Sequence, residues 1–83
     1  MSQSAGLTEI DELVERIKPI LAAHTPQVQG GALADCLAIW LAGHHVPGDH
    51  DATEAMRDDL LDNFLLAVEA LTPVNAKIMG TTR

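Results

Sequence analysis

The fourteen residues from Gly30 to Gly43, GGALADCLAIWLAG, contain one charged side chain, Asp35, and constrain the fold more than any other stretch. Just before them, Thr25 and Pro26 make a helix start: a hydroxyl N-cap, then a proline where its missing N–H costs nothing. At 100° per residue, Leu33, Cys36, Leu37 and Trp40 share one face. Gly31, Ala34, Ala38 and Ala42 share a second, and Val28, Ala32 and Ile39 a third. A helix that is apolar nearly all round belongs inside a protein. The run is too short to cross a bilayer, which takes about 20 apolar residues, and Asp35 sits in its middle. The expectation is a core helix that buries Cys36 as an inert thiol and ends at Gly43, a favoured C′ residue.

The flanking segments read as its partners. Residues 1–7 are small and polar and are expected to be disordered. From the N-cap Thr8, the residues Ile10, Leu13, Val14, Ile17, Ile20 and Leu21 repeat at helical spacing, with a kink or break expected near Pro19. A short turn makes this helix antiparallel to the central one, so that Ile17 meets Leu33 and Ile10 meets Trp40. Beyond the turn signal Pro47-Gly48, Asp51 and Glu54 read as a capping box for a third helix that ends at Thr72-Pro73. Its inner face is Met56, Leu60, Phe64, Ala67, Val68 and Leu71. A last short helix from Val74 to Met79, closed by Gly80, is the possible fourth. Phe64 is expected to fill the space beside Gly30 and Gly31, and Arg57 to pair with Asp35.

The predicted fold class is therefore all-α: a small antiparallel three-helix bundle in one domain, residues 8–80, with a tail at 81–83. Chains near 83 residues bury only about 60% of the surface their unfolded form exposes, so the core is marginal. One cysteine excludes an internal disulfide, which leaves homodimerisation as the expected support. The candidate interface is the small-residue face Gly31, Ala34, Ala38 and Ala42, where another helix can approach closely.

Charge and composition narrow the function. A formal net charge of −7 argues against nucleic acid and against anionic membranes. The segment MSQSAGLTE has neither basic residues nor an apolar run, so no targeting signal is expected and the cytoplasm is the expected location. His44, His45, Asp49 and His50 have metal-ligating side chains, but their spacing matches no zinc signature. Adjacent histidines on a helix point about 100° apart, and histidines at a helix C-terminus suit its dipole without any metal. No metal site is favoured. No catalytic arrangement is visible either: Asp58 and Asp59 lie on a solvent face where nothing raises a carboxylate pKa. No enzyme and no cofactor is expected.

Asp51, Glu54, Asp58, Asp62 and Glu69 form one acidic stripe along the third helix. A solvated face is its ordinary reading. The sharper one is a surface for a basic partner, even mimicry of a nucleic-acid backbone by a phage-type inhibitor. Leu65 and Leu66 lie on or beside the stripe, and an apolar pair among acids hints at contact. The leading functional expectation is a non-enzymatic protein–protein interaction module or assembly subunit, partnered by itself and by a second, unidentified protein. The alternatives are a regulator or inhibitor presenting the acidic stripe and a metal-binding domain using residues 44–51.

Overall fold

A computed structural model describes residues 2–81. They form three α-helices: α1 (Ser2–Ala22), α2 (Pro26–Ala42) and α3 (His50–Met79). No strand occurs among the described residues. None of these helices is long and apolar enough to cross a membrane. The chain divides into two compact units at the Cys36–Leu37 bond, within α2.

In the first unit, α1 begins at Ser2, six residues before the expected cap Thr8. Met1 lies outside the described residues. α1 also runs unbroken through Pro19, which stands one turn from its end, where few ladder bonds remain to lose. α2 starts as the sequence implies. Thr25 O accepts from Gln29 N at 2.9 Å, and its Oγ1 accepts from Val28 N at 3.4 Å. The Gln29 side chain then donates to the carbonyls of Leu21 and His24, at 2.8 and 2.9 Å. Leu21 O also accepts from His24 N at 3.0 Å, and the Gln29 amide ties this end of α1 to the start of α2. This cross-turn bond had no sequence signal.

In the second unit, the turn from α2 to α3 is held by side chains rather than by a glycine cap. Gly43 keeps a negative φ; among the described residues only Gly48 and Gly80 are left-handed. Pro47 and Gly48 occupy the centre of a turn in which Asp49 N donates to Val46 O at 3.1 Å. Proline second and a left-handed glycine third, at φ 76°, define a type II turn. The cap of α3 is Asp49, whose Oδ1 accepts from Ala52 N at 3.0 Å, and not Asp51. Asp51 falls in the first helical turn, two residues beyond the cap.

α3 does not stop at Thr72-Pro73. It continues to Met79, so there is no separate fourth helix. Thr72 Oγ1 donates to Val68 O at 2.7 Å and Asn75 Nδ2 to Leu71 O at 3.0 Å, which occupies carbonyls on either side of the site that Pro73 disturbs. Nothing after Pro73 breaks a helix until Gly80. There the N–H of Thr81 bonds Ala76 O and that of Gly80 bonds Lys77 O, a Schellman motif.

Among the described residues no apolar side chain is buried, and Thr53 alone is buried, at 8% exposure. In α2, Ile39 is 65% exposed, and Asp35 and Cys36 are both exposed. The thiol expected to be buried and inert is thus an exposed one.

Thr53 holds the α2–α3 connection together. Its Oγ1 accepts from Val46 N at 2.9 Å and donates to Asp49 O at 2.8 Å. Thr53→Val keeps the shape but strands the Val46 N–H, at about 1–2 kcal/mol. Thermal unfolding should show that loss for Val and nearly none for Thr53→Ser; equal losses for both would assign the effect to packing.

Candidate interaction surface

Carbonyls at the end of α2 and in the connection after it converge on one cation. Arg57 Nε donates to Leu41 O at 3.1 Å and to His44 O at 3.0 Å, and a terminal guanidinium nitrogen donates to Ala42 O at 2.9 Å. Sequence reasoning had Arg57 paired with Asp35. The guanidinium instead satisfies three carbonyls at once at the negative end of a helix, where cations are stabilised. Among the described residues the ion pairs are Lys18–Glu15 and His50–Glu54, and neither includes Asp35.

Aromatic contacts close the same corner. Trp40 and Phe64 stand with ring centroids 6.2 Å apart, and the His44 ring meets Trp40 edge-on at 5.3 Å. Phe64 therefore serves Trp40 rather than the glycines. A Cβ built on Gly30 or Gly31 meets nothing within 4 Å. Leu37, Leu41, Val46, Met56, Leu60 and Leu61 of the same unit are half-buried. From residue 62 to 81, Ala76 alone is not fully exposed.

The histidine loop is occupied by local work. His44 Nδ1 donates to Trp40 O at 2.6 Å, and His50 Nε2 stands 3.3 Å from Glu54 Oε1. Asp49 caps α3. His45 is exposed. Among the described residues no group of three or more His, Cys, Asp or Glu side chains could hold a metal ion.

The interface candidates Gly31, Ala34, Ala38 and Ala42 are all exposed along α2. So are the stripe residues Asp51, Glu54, Asp58, Asp62 and Glu69. Leu65 and Leu66, exposed too, lie with Asp62 and Glu69 around an open groove of about 350 Å³. A larger groove of about 410 Å³ lies towards the end of α3, between Val68, Leu71, Asn75 and Met79. The clearest missed feature is an apolar repeat along α3. Leu60, Phe64, Ala67, Leu71, Val74 and Ile78 recur at alternating spacings of four and three, the a/d pattern of a heptad. Ending the helix at Pro73 hid that register, although the spacing itself was legible.

Comparison with protein-family models, with curated proteins and with solved structures finds no match to this chain.

The role of Arg57 can be measured. Arg57→Ala should destabilise the second unit by about 2–3 kcal/mol, because charged hydrogen bonds to the α2 terminus are lost together. Arg57→Lys should recover less than half, since an ammonium lacks the planar fork that reaches several carbonyls. Full recovery by lysine in urea unfolding would reduce the interaction to its charge.

Proposed function

We propose that this chain is a non-enzymatic helical interaction module or assembly subunit, working in the cytoplasm, whose helices complete an antiparallel bundle with those of a partner. The observation that carries the reading is the absence of any buried apolar residue among those described. Hydrophobic burial is the main favourable term in folding. Three helices with large apolar side chains left in water lack that term until another surface covers them. The largely apolar α2 and the chain's −7 net charge fit a subunit kept soluble by its acids while its apolar faces wait for a partner.

Amide hydrogen exchange tests this on the single-chain form, obtained by dilution. α1 and α2 should exchange at rates close to those of unpacked helices, and slow by orders of magnitude when the partner binds. Slow exchange in the dilute single chain would show a self-sufficient core and remove the proposal.

A second reading rests on the groove between Asp62, Leu65, Leu66 and Glu69. An apolar floor between carboxylates suits an amphipathic segment with basic flanks, so the same module can present its acidic stripe to a basic partner. Acids at i,i+4 spacing, such as Glu54–Asp58 and Asp58–Asp62, cost about 0.2–0.5 kcal/mol per pair. Replacing Asp58 and Asp62 with Ser should therefore stabilise α3 slightly. The same variant should weaken binding of a basic amphipathic peptide and steepen no salt dependence; unchanged affinity would leave the stripe as a solvated face.

A further inference from the structure

Resting on the module reading, we propose that a second copy of this chain covers the C-terminal half of α3, paired with it helix against helix and antiparallel. Two observations point to that occupant.

The first is register. The a/d series Leu60, Phe64, Ala67, Leu71, Val74, Ile78 is half-buried at its start and bare at its end, with Leu71 56% and Ile78 76% exposed. A seam that runs on past its own chain's packing is a coiled-coil surface without its other strand. Pro73, which would disturb a seam, falls at the c position on the outer side.

The second is charge. A copy of a −7 chain is a poor partner unless its acids are kept away from the contact. Along α3 beyond Arg57, the acids are Asp58, Asp59, Asp62 and Glu69, at heptad positions b, c, f and f. The positions flanking the seam from 61 to 77 are Leu61, Asn63, Val68, Ala70, Asn75 and Lys77, with no acid among them. The orientation follows from the same map. Asp51, Glu54, Asp58, Asp59 and Asp62 crowd the first half of α3, whereas the second half carries Glu69 and Lys77 and is neutral in sum. Antiparallel pairing sets Asp59 and Asp62 beside the neutral end of the second copy's α3, leaves Asp51 and Glu54 beyond the overlap, and opposes the helix dipoles. It also places large against small: Leu71 opposite Ala67 of the second copy, and Phe64 opposite Val74.

The experiment is native mass spectrometry and sedimentation of the full chain beside Leu71→Glu/Ile78→Glu, with helicity followed by circular dichroism. We expect a dimer for the parent chain and loss of the dimer for the variant. In a Cys36→Ser background, an oxidised mixture of Ala67→Cys and Leu71→Cys chains should give the mixed disulfide in excess over either homodisulfide. This trap keeps the proposal testable where the charged variant fails to fold. A parent chain that stays single at every concentration overturns the proposal, whether α1 of the same chain or a foreign protein then covers α3. The exchange rates of that single chain separately decide the module reading. A dimer that survives the charged variant removes the seam, and dominance of the Ala67 homodisulfide removes the antiparallel arrangement.

Discussion

The end of α2 is the point on which the second unit depends. A helix that stops without a left-handed glycine leaves its last carbonyls facing a connection too short to cover them. Arg57 reaches back from the second turn of α3 and bonds Leu41, Ala42 and His44. That single side chain ties the start of α3 to the end of α2. Thr53, one turn earlier on α3, fixes the connection between them through Val46 and Asp49. Trp40 and Phe64 then meet because both helix ends are already held. Polar bonds position this corner, and apolar packing follows.

Away from the corner the balance reverses. Among the described residues no apolar side chain is buried. Hydrophobic free energy is recovered only by removing area from water. Beyond Arg57 the acids of α3 fall at the b, c and f positions, away from the apolar repeat that runs from Leu60 to Ile78. The proposed module reading rests on that division: the acidic positions stay in water and the uncharged seam is the face that would meet a partner.

Much of the fold was legible because local rules sufficed. Thr25-Pro26 starts a helix by hydroxyl capping and a preset φ, and Pro47-Gly48 makes a turn because glycine alone enters the left-handed region at no cost. The misread boundaries were those where a local signal competed with helix continuity. Pro73 discourages a helix yet does not end one when the residues beyond it are helix formers. Asp49 took the capping role from Asp51 because the type II turn delivers its carboxylate to the Ala52 N–H. On the candidate surface, the acidic stripe and the Leu65–Leu66 pair could be placed from spacing alone. The first part of the α3 repeat, Leu60 to Leu71, is also legible from spacing; its continuation through Val74 and Ile78 is not, because Pro73 is a local stop signal that the helix passes through.

Sequence alone determined the helical class, the start of α2 and the faces on which apolar and acidic residues fall, since each depends on neighbours within a few positions. Tertiary structure decided which of those faces are covered. Arg57 choosing carbonyls over Asp35, and Phe64 choosing Trp40 over the glycines, are contacts between residues far apart in the chain. Such contacts depend on where each helix ends and on how its neighbour is aimed. Periodicity records that a side chain is apolar; only the arrangement of the helices shows whether anything lies against it.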